Sequence, residues 1–307
     1  MDKGIKRTAD LIRSLKIQGA TAICRTLLLA LKNYGLRIKT KNLKIWQKKF
    51  KENASFLLSQ RPTEPLAQNG VRFIFSSLKE GEAQNVAQAK NYLKKAVEDF
   101  LLLSKDAAEI IIRRAEKIVK NNDKIFTHCH SSLVEQTLSQ AKKSGKKFEV
   151  FNTETRPLFQ GRITARKLLQ AGVETTMVAD SSSGFLISKY SGKNLMMDKV
   201  FLGADALLKN GSVINKIGSF GIGLAAANEK VPLYIISSLL KYHPSSWIKI
   251  EKRGPGEIWP GAPKKLKIIN FAFDSIPAQF IKGIVTEAGI IKPKDVSKTA
   301  KRIYPWI

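Results

Sequence analysis

The residues richest in chemistry form one short run, Thr127-His128-Cys129-His130-Ser131-Ser132-Leu133. An apolar stretch precedes it and a helical pattern follows. Ser132 and Glu135 have capping-box spacing, so the run reads as a turn from a strand into a helix. Ser131 and Ser132 then sit at a helix N-terminus, where free N–H groups and the dipole attract an anion such as phosphate. Cys129 lies at the mouth of that anion site. A positive local potential lowers a thiol pKa and makes the thiol a usable acid or base. A cysteine is equally often a small core residue, and the local sequence does not separate the two readings. His128 and His130 read as loop polarity. Two histidines flanking one cysteine cannot all face one ion from a strand, so no metal is expected.

Other polar residues end apolar runs further on. Gly203-Ala204-Asp205 places an aspartate where either a catalytic carboxylate or a helix cap would sit. In Asn215-Lys216-Ile217-Gly218 an amide and a lysine suit phosphate or sugar hydroxyls. Lys241, taken alone, reads as a surface lysine, and Arg61 stands before a proline that limits its backbone. Gly218-Ser219-Phe220-Gly221-Ile222-Gly223 has the look of a dinucleotide loop but does not open the first strand–helix unit, so that reading is rejected. Its glycines are expected to allow close backbone approach at a helix start. The chain has no nucleotide P-loop, nucleophile elbow or metalloprotease motif.

The elements that must position these residues follow from hydrophobic period. Residues 1–120 carry apolar side chains at helical spacing, as in Leu93, Ala96, Val97, Phe100 and Leu101. They predict an N-terminal helical domain. From 121 to 307 short apolar runs alternate with helical patterns. Strands are predicted at 125–128, 148–151, 175–179, 200–203, 233–236, 268–271 and 284–286, with helices at 133–143, 163–171 and 222–228. That alternation predicts an α/β domain with a doubly wound, Rossmann-like parallel sheet. Ligands of such sheets bind outside the carboxyl ends of the strands, where the residues above fall.

The 307 residues carry 53 Lys and Arg against 25 Asp and Glu, a formal charge of +28. Residues 1–51 hold 14 basic and 2 acidic residues, a net of +12. Polyanions and phosphorylated metabolites are therefore favoured partners. The basic segment lacks the aromatic platforms of single-strand binders, so only weak, non-specific nucleic-acid binding is expected of it. With 43% hydrophobic residues the chain can bury a core, which excludes disorder as its main state. Two cysteines, Cys24 and Cys129, make no disulfide framework and fit a reducing compartment. No signal-peptide pattern and no apolar run of about 20 residues is present, so a cytoplasmic protein without a membrane span is expected.

Taken in order, these motifs resemble one family. It joins the initiation factor 2B alpha, beta and delta subunits to the isomerases of ribose 1,5-bisphosphate and 5-methylthioribose 1-phosphate. The resemblance rests on Thr127-His128-Cys129, on Glu154-Thr155-Arg156-Pro157 with Gln160-Gly161, on Gly203-Ala204-Asp205 and on Asn215-Lys216-Ile217-Gly218. Asn270-x-Ala272-Phe273-Asp274 and Thr286-Glu287-x-Gly289 extend it over nearly the whole chain. The fit is nearest to the ribose-1,5-bisphosphate isomerases. It implies a helical N-terminal domain, a Rossmann-like C-terminal domain and a homodimer or homohexamer. It implies aldose–ketose isomerisation of a sugar phosphate, with no cofactor and no metal. Cys129 and Asp205 match the acid–base pair that the translation-factor subunits typically lack, and the expected roles are a Cys129 thiolate base and a neutral Asp205 acid. By the same resemblance substrate contacts fall on Gly19, Ala20, Arg61, Ser131, Ser132, Leu133, Asn215, Lys216 and Lys241. The isomerases usually have Arg-Gly-Ala in the N-terminal substrate loop, whereas this chain has Gln18-Gly19-Ala20-Thr21. A permanent cation is thereby replaced by an amide. The other reading is a non-catalytic regulatory subunit of the translation-factor kind.

Overall fold

The computed structural model describes residues 2–307, and the chain divides into two compact units. One holds the chain through Asp106 together with Leu240–Tyr242 and Ala300–Ile307. The other holds Ala107–Leu239 and His243–Thr299.

The first unit is helical: α1 (Lys3–Arg13), α2 (Ala20–Arg37), α3 (Leu43–Leu58), α4 (Pro65–Glu80) and the first part of α5 (Val86–Glu116). Local sequence sets the starts. The Asp2 carboxylate caps α1 by accepting from the amides of Gly4 and Ile5, and Asn42 caps α3 by accepting from Ile45. Pro65 opens α4, where its missing N–H costs nothing. The buried stripes are Ile5, Ala9 and Ile12 on α1, Leu27, Leu28 and Leu31 on α2, and Trp46, Phe50 and Leu57 on α3. Asn69 of α4 is fully buried, and its amide donates to the carbonyls of Leu240 (2.8 Å) and Tyr242 (2.9 Å). That pair of bonds fixes the backbone on both sides of Lys241.

The division falls inside α5, at 106/107, rather than at the 120/121 boundary expected from sequence. Ile111 and Ala115 near the end of the helix, with Val119 beyond it, pack with Ile125, Val134 and Leu138 in the core of the second unit. A continuous helical period cannot reveal that its two ends serve different cores.

The second unit is α/β. In chain order its strands are β1 (Lys124–Thr127), β2 (Glu149–Thr153), β3 (Glu174–Val178), β4 (Lys199–Leu202), β5 (Ala206–Leu208), β6 (Val213–Lys216), β7 (Leu233–Ile236), β8 (Tyr242–His243), β9 (Lys252–Arg253), β10 (Asn270–Phe271), β11 (Phe273–Ile276), β12 (Gly283–Thr286) and β13 (Gly289–Ile291). Its helices are α6 (Ser132–Lys143), α7 (Gly161–Gln170), α8 (Ser183–Ile187) and α9 (Ser219–Asn228), and α10 (Val296–Ile303) is the last helix of the chain.

The main sheet has the order β13-β12-β7-β4-β1-β2-β3 and is parallel except for the β12–β13 hairpin. The chain winds one way from β1 through β2 to β3 and the other way from β4 outward. The order therefore reverses between β1 and β4. Beside this sheet β5, β6 and β11 pair antiparallel.

Six of the seven expected strands lie in the parallel sheet. The seventh, 268–271, does not. Only Asn270–Phe271 is a strand, and it pairs antiparallel with β9, with Ile269 and Phe271 exposed. An apolar run says that a segment is extended, not which sheet it joins.

Candidate active site

The reversal point between β1 and β4 is where an open α/β sheet leaves a crevice at its carboxyl edge. In the β1–β4 register Thr127 lies opposite Phe201. Two residues beyond each come Cys129 and Gly203, and Asp205 follows. The two residues singled out for acid–base chemistry thus both follow the carboxyl ends of neighbouring strands.

Cys129 has φ +67°, a left-handed conformation that a side chain with a Cβ enters only at a cost of about 1–3 kcal/mol. Two threonines hold it there. Its amide donates to Thr155 Oγ1 at 3.0 Å, and the Thr164 hydroxyl donates to its carbonyl at 2.9 Å. Thr155 is itself left-handed, at φ +64°, and fully buried. The Asp180 carboxylate fixes it by accepting from the amides of Thr155 (2.8 Å) and Arg156 (2.6 Å). The Arg156–Pro157 peptide is cis. The Glu154-Thr155-Arg156-Pro157 motif is therefore the support under Cys129.

His128 is buried rather than loop polarity. Its Nε2–H donates to the Ile217 carbonyl at 2.8 Å, because a carbonyl can only accept. Nδ1 then accepts from the Thr153 hydroxyl at 2.6 Å, and Thr153 Oγ1 accepts from Thr155 at 3.1 Å. A single directed chain thus runs from the Cys129 amide through Thr155, Thr153 and His128 to the backbone beside Lys216. Burial, the largest influence, pushes the His128 pKa down and keeps the ring neutral. The amide of His130 donates toward Cys129, and its ring Nδ1–H donates to Thr164 Oγ1 at 3.0 Å.

The expected anion site is a real helix start, but its cap is Ser131 rather than Ser132. Ser131 Oγ accepts from the amide of Val134 at 3.4 Å, and Ser132 is the first helical residue, followed by Leu133. The expected Ser132–Glu135 capping box is absent. Glu135 instead accepts from Ser139 and pairs with Lys167. Gly203 lies against this cap: a Cβ built there would stand 2.6 Å from both Cβ and Oγ of Ser131. Only glycine lets β4 pass so close to the start of α6.

A hairpin unites the remaining motifs. The Asp205 amide donates to the Ile214 carbonyl at 2.8 Å, and Ala206 of β5 pairs with Ile214 of β6. Asn215 and Lys216, both buried, are thereby brought beside Asp205. Asn215 donates to Ser219 Oγ at 2.9 Å, and the Lys216 ammonium lies 5.2 Å from the Phe273 ring centre. Gly218 begins α9 with φ +104°, so it serves the turn's conformation and not only close approach. Its amide donates to Asp274 at 2.7 Å.

The charges around Cys129 correct one expectation. Burial pushes its thiol up to about 11, with Asp205 and Asp180 adding to the rise. Lys216 and the His130 amide oppose this but do not overcome it. A thiolate at neutral pH is therefore not what this pocket favours. The thiol is the resting form.

The other expected substrate residues belong to the helical unit. Gly19, at φ +83°, precedes α2, and its carbonyl accepts from Ile23. Ala20 and Thr21 open the helix, with Gln18 exposed just before it. Arg61 donates to Glu64 Oε1 at 3.0 Å, and both side chains are largely buried. Lys241 sits on the segment that Asn69 clamps.

Sequence reading missed Thr153, Thr155, Thr164 and Asp180 as partners of the Cys129 loop. Only the quoted Glu154–Pro157 motif pointed toward them, and it could not show what Thr155 held.

With this geometry in view, comparison with known proteins decides the family. The family model described as initiation factor 2 subunit family matches residues 16–293. The chain belongs to that family. A ribose 1,5-bisphosphate isomerase of Methanocaldococcus jannaschii is 33% identical over 309 residues, covering 99% of this chain and 96% of that one. A methylthioribose-1-phosphate isomerase of Desulforamulus reducens is 27% identical over 94% of this chain and 88% of its own length. Among solved structures, the Pyrococcus horikoshii OT3 translation initiation factor eIF-2B superposes with a TM-score of 0.82 at 23% identity, covering 95% of this chain and 98% of that chain. That likeness carries the fold: a helical N-terminal region followed by a parallel sheet with helices.

Proposed function

We propose that the chain is a sugar-phosphate isomerase converting ribose 1,5-bisphosphate to ribulose 1,5-bisphosphate, with Cys129 and Asp205 as its acid–base pair. The observation that carries this reading is their placement at the β1–β4 reversal, close enough that Asp205 raises the Cys129 thiol. The relatives named as isomerases over nearly the full chain support the reaction class.

The proton roles are the reverse of those expected from sequence. The Asp205 carboxylate takes the C2 proton as the C1–C2 double bond forms and the ring oxygen leaves C1. Protonated Asp205 then returns that proton to the ring oxygen. The Cys129 thiol gives its proton to C1, and its thiolate takes the proton of the C2 hydroxyl as the ketone forms. No atom is lost, and both groups end as they began. Lys216 offsets negative charge beside the sulfur, and the Ser131–Leu133 helix start binds a phosphate. By the family resemblance Gln18, Gly19, Ala20 and Thr21 at the start of α2, with Arg61 and Lys241, are further residues proposed to contact substrate. Asn215 binds sugar hydroxyls.

The helix α9 is rich in apolar residues, yet Phe220 and Leu224 on it and Phe185 on the adjoining α8 are exposed. This face supports self-association of the chain, as a homodimer or a homohexamer. Free, unpaired cysteines fit a cytoplasmic location. No helix among the described residues is long and apolar enough to cross a membrane. Changing Lys41, Lys44, Lys48 and Lys49 to glutamine is expected to weaken non-specific nucleic-acid retention on filters and leave turnover unchanged.

The test is incubation with ribose 1,5-bisphosphate and detection of the ketose, with 5-methylthioribose 1-phosphate in parallel. A regulatory subunit of the translation-factor kind would convert neither.

A further inference from the structure

The helix α9 starts without help from its own side chains. Its N-cap is Gly218 in a left-handed conformation, and no residue of its first turn is acidic. The first N–H groups of a helix need acceptors, and the dipole there favours a negative charge. A neighbouring strand supplies both. β11 pairs antiparallel with β6, placing Asp274 opposite Asn215 and Phe273 opposite Lys216. Directly opposed residues share a face, and side chains alternate along a strand. Asp274 and Asn215 therefore turn to the start of α9, and Lys216 and Phe273 turn the other way. Asp274 Oδ2 accepts from the Gly218 amide at 2.7 Å, and Asn215 donates to Ser219 Oγ at 2.9 Å.

The turn held in this way, Ile217–Gly218, orients two groups of the candidate site. The Ile217 amide donates to the Ala272 carbonyl at 3.1 Å, and the Ile217 carbonyl accepts from His128 Nε2 at 2.8 Å. The ring packs on Gly218, where a Cβ would stand 3.3 Å from Nε2. Lys216, one residue before the turn, is the positive charge that draws the Cys129 thiol down. Burial pushes the Asp274 carboxyl up to about 6, although the Phe220 and Gly218 amides favour its charged form. No ion pair among the described residues includes Asp274. From Ser219 to Asn228 α9 has no ionisable side chain, β6 offers only Lys216 on its other face, and Arg253 of β9 is paired with Glu251 and Glu257.

We propose that Asp274 is a positioning residue of the candidate active site, holding the Ile217–Gly218 turn so that the Lys216 ammonium and the His128 ring keep their places near Cys129. Its part in turnover rests on the isomerase reading, whereas its link to His128 does not. Protonation leaves the carboxyl in place but removes the charge that strengthens the bond from Gly218. Asp274→Asn is the uncharged counterpart at every pH.

Two measurements on the full chain test it, each on the parent and on Asp274→Asn. Nitrogen-15 NMR of the histidine rings between pH 5 and 8 reads the link without substrate. The parent's His128 Nε2 signal is expected to move with an inflection near 6, the value of Asp274, while Nδ1 remains that of an unprotonated ring. The variant should lack that inflection. Turnover of ribose 1,5-bisphosphate over the same range reads the role. The parent's kcat should fall on the acid side of the same inflection. In the variant kcat at pH 7.5 should be about tenfold lower, with KM within about twofold and no inflection near 6. A variant that matches the parent in kcat, KM and pH profile overturns the proposal, as does a His128 signal that moves identically in both chains. The parent alone also decides: no inflection near 6 in either its His128 signal or its turnover overturns the proposal whether or not the variant folds. A parent that shows the His128 inflection, lost in the variant, but converts no substrate defeats the isomerase reading and supports the link.

Discussion

The His128 ring donates from Nε2 to the Ile217 carbonyl at 2.8 Å, joining the turn after β1 to the turn after β6. Cys129 follows His128, and Lys216, the last residue of β6, precedes Ile217. Replacing His128 by alanine strips a buried hydroxyl and a buried carbonyl of their partner, which costs about 1–3 kcal/mol. The variant should melt earlier and lose kcat more than KM, because the geometry between Cys129 and Lys216 loosens while the phosphate sites remain.

The same ring sets a pH dependence. Burial depresses its pKa below the ordinary 6.5, so the folded state resists protonation more than the unfolded chain does. The stability it contributes is full above pH 6.5 and is lost as pH falls from there through the folded value. Thermal melts between pH 5 and 7 should show a steeper acid loss in the parent than in His128→Gln, which carries no titrating ring. Equal slopes would remove His128 from the account.

A thiol raised to about 11 is a poor nucleophile at neutral pH. Iodoacetamide at pH 7.5 should alkylate Cys129 slowly in the folded chain and rapidly after unfolding, with the folded rate climbing about tenfold per pH unit. Peptide mass spectrometry reads the site. Cys129→Ser should fold normally yet lose about 10²–10⁴ in turnover, since an alcohol is a far weaker acid than a thiol.

Under the proposed function, Gln18 takes the position at which the family resemblance implies arginine. Gln18→Arg restores a charge-assisted phosphate contact of about 1.5–3 kcal/mol, so KM should fall by roughly ten- to a hundredfold. A raised KM would mean that the loop before α2 is built for another ligand.

Gly203→Ala pushes a methyl group to 2.6 Å from the Ser131 side chain. Either β4 or the start of α6 must move, at about 1–3 kcal/mol. A lower melting temperature and weakened binding of the substrate phosphate are expected, measured together on one preparation.

Much of this arrangement was legible before folding. Strand ends in an α/β pattern are where ligands bind, and that rule directed attention to Cys129 and Asp205, which the family resemblance then paired. The β5–β6–β11 sheet was not legible: β6 ends in Asn215 and Lys216 and β11 holds Asp274 and Ser275, so neither reads as an apolar run. Its effect is large, since the hairpin is what brings Asn215 and Lys216 beside Asp205. The left-handed turn at Cys129 was also hidden, because nothing in a cysteine announces positive φ. Thr155, Thr164 and Asp180 enforce it, and their part depends on which side chains the sheet brings together. The resting thiol was misjudged for a related reason: helix-end potential can be read from sequence, whereas the burial that outweighs it cannot.

The central claim is that Cys129 and Asp205 carry out aldose–ketose isomerisation of a bisphosphorylated ribose. The most direct measurement is phosphorus NMR of ribose 1,5-bisphosphate incubated with the parent chain, Cys129→Ser and Asp205→Asn. The account predicts conversion to ribulose 1,5-bisphosphate by the parent and essentially none by either variant, with all three chains folded. A folded parent that leaves the substrate untouched, or a Cys129→Ser chain that converts it at the parent's rate, would contradict it.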